Sequence, residues 1–584
     1  MKRFHAIAAF LFIAACSPAE NPDTGSASGT EATSSPHRSW DRGAIAAAAN
    51  PHAVAAAIEI LEQGGHAVDA AIAAHAVLGL VEPQSSGIGG GGFMLMYEHS
   101  TGDLTFYDGR EVAPSGATVD MFMRDGEVLG FMEAWQSGLA VGVPGMVALY
   151  KSAHDDHGKL PWPDLFQPAI RLALEGFEVS PRMAMFLPMV ASRGRLDENP
   201  ATAAYFFPDG EPLQVGHLLR NPEYAVTLKR IANEGIDAFY KGEIAQAIAK
   251  AAQEAPNGGT LTLEDIANYR VAKRDVVCGD FRALKICTTS PPSSGGAQIM
   301  IAGLYDHLTR ESTTQNDKIA AFVDAQRLAY ADRDHYFGDP DSVLVPLDDL
   351  LNPAYIEYRA SERFAPGATP THGDPGRVLR GEPVAGRWGD DTTEEASGTT
   401  HMSIIDNEGN AVSMTATVEA PFGSSRWVGG FLLNNELTDF AREHDPDAPP
   451  VANAIGPGRR PRSSMSPTMV FDQDGDLLMV TGSPGGNSIP AYVSKSIIAV
   501  LDWEMSAQDA VDFPNIVARG EMVRVEVGVE HGKAIAADLK NRGYKVQERD
   551  GENSGLHLIV VRPDELDGAA DKRREGIVRT ISVH

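Results

Sequence analysis

Ser397-Gly398-Thr399-Thr400-His401-Met402-Ser403-Ile404-Ile405-Asp406 is the stretch around which the rest of the chain is read. The residues before it, Gly389 to Ala396, are polar and acidic with no apolar period, which predicts an exposed loop. After it apolar and polar residues alternate to Ile405, turn at Asn407-Glu408-Gly409-Asn410, and alternate again over Ala411 to Thr417. That pattern predicts a β-hairpin. A loop that runs into a core strand beginning with Thr is also the layout of an enzyme that cleaves itself to expose an N-terminal nucleophile. Cleavage after Gly398 would free the Thr399 α-amine beside its own hydroxyl, where it can serve as general base. Taken alone, Thr-Thr at a strand start is ordinary β-propensity.

Three further motifs follow in order: Asn434-Asn435-Glu436-Leu437-Thr438-Asp439-Phe440, then Arg460 to Thr468 with Ser463-Ser464 at its centre, then Thr481-Gly482-Ser483-Pro484-Gly485-Gly486. Together with Thr399-Thr400-His401 they resemble the gamma-glutamyltransferase (glutathione hydrolase) family, from about residue 40 to the C-terminus. The resemblance implies an α+β fold, the four-layer αββα sandwich of N-terminal nucleophile (Ntn) hydrolases. It would be made as one precursor and cut into a large chain, 39–398, and a small chain, 399–584.

The resemblance also implies roles. Thr399 is the nucleophile and Thr417 the hydroxyl that supports it, while Gly485 and Gly486 supply oxyanion donors from the backbone. Arg110, Ser463 and Ser464 take the α-carboxylate of a γ-glutamyl group, a task suited to a planar guanidinium. Glu436 and Asp439 take its α-ammonium. This gives a cation with hydroxyls at one end and two anions at the other. The implied substrates are glutathione, other γ-glutamyl compounds, and water or an amino-acid or peptide acceptor; no cofactor and no metal are implied. Two departures stand out. Glu419 occupies the position where better-known members carry Asn, so it adds a carboxylate that grips an ammonium or pairs with Arg426 or Arg442. The stretch Ala441 to Ala452 is shorter than the family's lid loop and lacks Tyr, which predicts a more open cleft. Competing expectations are an acylase of the glutaryl or cephalosporin type on the same fold, and an unprocessed peptide-binding surface lipoprotein.

Composition bounds the rest. The chain has 584 residues, 49 Lys+Arg against 79 Asp+Glu, and a formal charge of −30. An acidic surface of this kind argues against nucleic acid as a partner. Lys2 and Arg3 precede a short apolar run from Ala6 to Ala15, the form of a secretory signal. It ends Ile13-Ala14-Ala15-Cys16, which suits a bacterial lipobox with Cys16 lipidated, or an ordinary signal cut nearby. Residues 1–16 are therefore read as a signal and 17–38, rich in Ser, Pro, Thr and Gly, as a flexible tether. The expected location is the bacterial periplasm or cell envelope. No other apolar run is long enough to predict a membrane-spanning helix.

Along the chain, Pro51 opens an Ala-rich helix that Gly64-Gly65 stops, and Asp69 to Leu80 forms a second, buried helix. Gly89-Gly90-Gly91-Gly92 lacks a following Lys-Ser/Thr and leads into a strand, so it is a tight backbone passage rather than a phosphate loop. Residues 165 to 270 are mostly helical. A hairpin turning at Arg282-Ala283 sets Cys278 opposite Cys287, and a disulfide and two free thiols are both open at this point. The clusters His154-Asp155-Asp156-His157 and Asp332 to Asp341 are read as helix ends and loops, not metal sites. Residues 362 to 398 belong to the processing loop, and two further strand-helix units are expected to end near Ser582.

Overall fold

The alternation around Thr399 extends through a whole sheet. The computed structural model describes residues 40–582 apart from Gly194; the expected signal segment, Cys16 and the tether over 17–38 lie outside the described residues. In chain order the main strands are β1 (Ala44–Ala48), β2 (Gly91–Glu98), β3 (Asp103–Gly109), β4 (Ala272–Arg274), β5 (Val276–Phe281), β6 (Leu284–Thr289), β7 (Gly398–Ile405) and β8 (Ala411–Glu419). They continue with β9 (Thr468–Phe471), β10 (Leu477–Gly482), β11 (His557–Val561), β12 (Leu566–Ala570) and β13 (Ile577–Ile581). Seven strands form one sheet in the order β13-β1-β7-β8-β2-β3-β4, and six form a second in the order β12-β11-β10-β9-β6-β5.

Side-chain alternation assigns the layers. Ala44, Ala46 and Ala48 of β1, with Met94 and Met96 of β2, face a core shared with helices α1 (Pro51–Glu62) and α2 (Ala67–Val81). Ile45 and Ala47, with Phe93 and Leu95, face the second core, which holds Met469, Met479 and Val480 of the other sheet. The outer helices on that side are α3 (Gly295–Thr309), α4 (Gln315–Tyr336) and α5 (Ile489–Leu501). The result is helix, sheet, sheet, helix. The central strands β1, β2, β7 and β8 are buried on both faces because the first sheet is covered on both sides. Helix α2 is buried along its full length, so its sequence shows no polar face.

The glycine run is a close passage between strands. A Cβ on Gly90 would lie 2.0 Å from the Thr417 carbonyl oxygen, and one on Gly92 2.6 Å from that of Thr415. Only glycine lets β2 lie this close to β8. The β5–β6 hairpin has the expected register, Phe281 opposite Leu284 and Cys278 opposite Cys287. The two cysteines are bonded, with Cα atoms 4.1 Å apart. Non-reducing peptide mapping is expected to recover the two cysteine peptides as one linked species; two freely alkylated thiols would contradict the pairing.

Two expectations need correcting. The C-terminal region is not two strand-helix units. It contains a short helix, Ala507–Asp512, a small sheet of Ile516–Arg519, Met522–Glu526 and Lys545–Arg549 with the helix Gly532–Asn541, and then β11, β12 and β13 with no helix among them. The last strand closes the edge of the first sheet beside β1, a long-range pairing that no local pattern announces. The segment before Thr399 is also less exposed than its composition suggests. Asp391 is buried and pairs with Arg462 at 2.9 Å, and Glu395 is held by Arg333. Buried charges of this kind need partners, and here those partners come from other parts of the fold.

Candidate active site

Strand pairing places Thr399 directly opposite Thr417, with the register shifting between Gly398 and Thr399. The Thr399 hydroxyl donates to the Thr417 hydroxyl oxygen at 3.2 Å. The Thr417 hydroxyl in turn donates to the Gly398 carbonyl at 2.8 Å and accepts from the Glu419 amide at 2.7 Å. One hydroxyl thus joins the Thr399 side chain to the carbonyl of the peptide bond that precedes it. Arg574 donates to the Thr399 carbonyl at 2.8 Å and fixes the other side of this residue.

The cavity at Thr399 gathers residues far apart in sequence: Arg110 after β3, Thr417 and Glu419 at the end of β8, Glu436 and Asp439 on a short helical turn, Ser463, and Gly486 before α5. Ser464 and Gly485 stand one residue behind. The Ser464 hydroxyl accepts from Arg333 at 2.7 Å, and its amide donates to Glu395 at 2.8 Å. Gly485 has φ 141 and Gly486 φ 56, both in the region that favours glycine. A Cβ on Gly486 would lie 2.4 Å from the Glu395 carbonyl oxygen, so the segment before Thr399 lies directly against this turn.

The cavity holds only about 10 Å³, roughly the room of one water. The expectation of an open cleft does not hold for the uncut chain. The exposed stretch around Asp445 to Pro450 does not close it; Glu395 and Ala396, which line it, fill the space.

The charges are also arranged differently from the expected two-ended pattern. Arg110 is 1% exposed and bonds directly to both carboxylates, to Glu436 through Nη1 and to Asp439 Oδ2 through Nη2 at 2.6 Å. The guanidinium is the direct counter-ion of both carboxylates. Glu419 pairs with neither arginine that the sequence offered. Its carboxylate accepts from the Ala396 amide at 2.8 Å and from the Asn435 side chain, while Arg426 donates to the carbonyls of Ala251 and Pro256.

Glu111 joins the cluster, a residue to which the sequence reading gave no role. Glu111, Glu419, Glu436 and Asp439 thus crowd around one guanidinium. Burial pushes the carboxyls of Glu419, Glu436 and Asp439 well above the ordinary range, with Arg110 pulling each back. Burial likewise pushes Glu111 up to about 8, against the pull of Arg110. Glu436 Oε2 and Asp439 Oδ1 are buried without a hydrogen-bond partner. The pocket is therefore rich in acceptors and short of cationic donors.

A stability prediction follows from Glu111. The folded chain keeps this proton at pH values where the unfolded chain, with its carboxyl near 4.5, has lost it. The contribution is fully present below about 4.5 and is lost as pH rises through about 8. Thermal unfolding of the uncut chain is expected to fall across this window, and Glu111→Gln to flatten the slope. An unchanged slope in the variant would assign the proton elsewhere.

The metal-capable groups among the described residues lie outside this cavity, at His66, Glu98 and His157 and at His335, His372 and Asp390. The helix-end cluster at His154 to His157 does not converge: Asp155 pairs with Lys151, and Asp156 accepts from Tyr107.

The sequence compares directly with known proteins. The gamma-glutamyltranspeptidase family description matches residues 53–581. The chain belongs to the gamma-glutamyltranspeptidase family. It is 36% identical to a glutathione hydrolase proenzyme of Bacillus subtilis (strain 168), over 91% of this chain and 90% of that protein. It is also 36% identical to one of Escherichia coli (strain K12), over 88% of each. Among solved structures, a cephalosporin acylase from Bacillus halodurans superposes with a TM-score of 0.80 at 26% identity, covering 95% of this chain and 100% of that one. The Helicobacter pylori gamma-glutamyltranspeptidase gives 0.51 at 33% identity, over 59% of this chain and 96% of that chain. The fold is thus the αββα sandwich of Ntn hydrolases, and the protein is a gamma-glutamyltransferase/glutathione hydrolase-class enzyme made as a precursor that is processed to two chains.

Proposed function

We propose that Thr399 is both the self-cleaving residue and the catalytic nucleophile, and that the mature enzyme transfers the γ-glutamyl group of glutathione or a related amide to water or to an amine. The observation that carries this reading is the Thr417 hydroxyl, which accepts from Thr399 and donates to the Gly398 carbonyl. In the first reaction the Thr399 hydroxyl attacks the Gly398 carbonyl carbon. The C–N bond breaks, the Thr399 nitrogen takes a proton, and an ester joins Gly398 to the threonine oxygen. Water then cleaves the ester. This leaves a large chain, 39–398, ending in the Gly398 carboxylate, and a small chain, 399–584, starting with the Thr399 amine.

Cleavage lets the 395–398 segment leave the cavity it fills. The free amine then takes the proton from its own hydroxyl as that oxygen attacks the γ-amide carbonyl. Backbone N–H groups at Gly485 and Gly486 stabilise the oxyanion, a contribution of about 10²–10³-fold for one such donor. Arg110, with Ser463 and Ser464, holds the α-carboxylate. The α-ammonium goes to Glu436 and Asp439, where two buried carboxylate oxygens lack partners, with Glu419 beside them. The zwitterionic head exchanges places with the internal ion pairs: its carboxylate replaces their carboxylates at Arg110, and its ammonium replaces Arg110 at theirs.

The acylase neighbour supports a second reading, hydrolysis of a side-chain amide that lacks the α-amine. The partnerless oxygens at Glu436 and Asp439 favour the γ-glutamyl donor. A pair of amides that differ only in the α-amine decides: the account expects the γ-glutamyl amide to be strongly preferred, and equal rates would favour the acylase. The basic start, the short apolar run and Cys16 support export with a lipid anchor. Among the described residues no helix is long and apolar enough to cross a membrane.

A further inference from the structure

The carboxylate of Glu395 occupies a seat built for an anion, beside the reacting threonine. Glu395 lines the cavity at Thr399. Its Oε1 accepts from Arg333 Nη2, and its Oε2 accepts from the Ser464 amide at 2.8 Å. Arg462 Nε lies 3.7 Å from Oε1 and has no hydrogen-bond partner of its own. Arg333, Arg462 and Ser464 are all buried. Each oxygen of one carboxylate thus meets one N–H donor, and one of the two donors is a guanidinium.

Arg333 is fixed independently of Glu395. Its Nε donates to Ser294 Oγ at 2.9 Å, its Nη1 to Asp334 at 2.8 Å, and its Nη2 also to Ser464 Oγ at 2.7 Å. When Glu395 leaves, these bonds still hold the guanidinium. One N–H of Nη2 and the Ser464 amide N–H then point at the same vacated position. Buried donors without an acceptor are costly, so the emptied seat is set to take another carboxylate.

The charges point the same way. Arg333, Arg462 and Arg519 pair with Asp334, Asp391, Glu394 and Glu395. Asp391, Glu394 and Glu395 belong to the segment before Thr399, and Asp334 belongs to α4. Burial raises the Glu395 carboxyl, but Arg333 and Arg462 outweigh it and hold this group below the ordinary range. The carboxyls of Glu419, Glu436 and Asp439 near Arg110 are pushed the opposite way. An incoming carboxylate finds at Arg333 the surplus cation that the crowded Arg110 lacks.

We propose that in the mature enzyme Arg333 and the Ser464 amide bind the α-carboxylate of the γ-glutamyl donor, alongside Arg110, in the place that Glu395 holds before cleavage. Arg333 is then a specificity-determining residue, and Glu395 is a built-in occupant that keeps the seat filled until the nucleophile is freed. The inference rests on the γ-glutamyl reading above and on departure of the 395–398 segment. Arg110 donates to the carbonyls of Pro461 and Arg462, just before the same serine pair, so both guanidiniums serve the stretch from Pro461 to Ser464.

Two measurements test this. Arg333→Gln removes the charge, while Asp334 keeps Arg519 at 2.8 Å. On the mature two-chain enzyme, kcat/KM is expected to fall about ten- to a hundredfold for a γ-glutamyl amide with a free α-carboxylate, chiefly through KM. The same donor with its α-carboxylate converted to an amide should lose little. Equal losses on both donors would overturn the proposal. An unaltered enzyme indifferent to the α-carboxylate would overturn the γ-glutamyl reading, and this inference with it.

The second measurement needs no processing. In the uncut Thr399→Ala chain, Glu395→Ala empties the seat. Acetate is then expected to raise the thermal midpoint above that in chloride at equal ionic strength. The rise should vanish when Arg333→Gln is added and when Glu395 is restored. No acetate-specific rise, or the same rise without Arg333, would overturn the proposal. This arm decides the matter if Arg333→Gln stays uncut, and it does not depend on Thr399 as nucleophile.

Discussion

Thr399→Ala is expected to leave the chain whole and to abolish release of the γ-glutamyl group. Two functions are lost at once. Without the hydroxyl nothing attacks Gly398, so no free amine forms. Without cleavage, Glu395 and Ala396 stay in a cavity of about 10 Å³ that cannot admit a substrate. Removing the nucleophile of a hydrolase that works through a covalent intermediate costs roughly 10⁶-fold in kcat, and here the blocked site adds to that loss. Thr399→Ser keeps the hydroxyl and is expected to process, which separates a missing nucleophile from a damaged fold. Thr417→Val removes the hydroxyl bridge while keeping the shape, and is expected to slow the appearance of the two chains without stopping it. Gel analysis over time reads all three variants. Rapid processing of Thr399→Ala would place the nucleophile elsewhere.

The second large effect is expected at Arg110. This guanidinium is the direct partner of Glu436 and Asp439, and in the proposed complex it holds the substrate α-carboxylate. Arg110→Met keeps much of the volume and removes the charge. Stripping one partner from a buried hydrogen-bonded pair costs about 2–5 kcal/mol, so kcat/KM for a γ-glutamyl donor is expected to fall about 10²–10³-fold. The loss should depend on the donor. An amide without the α-carboxylate, already poor with the unaltered enzyme, should lose little more. Part of the damage will appear as stability, since the variant leaves carboxylates buried without their cation. Comparing the two donors on one preparation cancels that part. Equal losses for both would mean that Arg110 only supports the fold.

The central hairpin was legible because its information is local. Period-two alternation on both sides of Asn407-Glu408-Gly409-Asn410 determines β7, the turn and β8, and strand pairing then sets Thr399 opposite Thr417. The same reasoning set Cys278 opposite Cys287, and the lack of a phosphate-loop context marked the glycine run as a close backbone passage. The charge network was not legible. Arg110 and Glu436 are 326 positions apart, and Arg333 and Glu395 are 62, so no spacing rule connects them. Composition alone made the Asp390–Glu395 run look like solvated loop, because buried arginines from α4 and from the Arg460–Arg462 stretch are invisible until the chain folds.

The central claim is that Thr399 becomes the N-terminus of the small chain and does the chemistry. Intact mass and N-terminal sequencing of the purified protein, beside Thr399→Ala, test it most directly. The account predicts two chains from the unaltered protein, the smaller beginning Thr399-Thr400-His401, and one uncut chain from the variant. A single full-length chain that still releases γ-glutamyl groups, or a new N-terminus at any other residue, would contradict it.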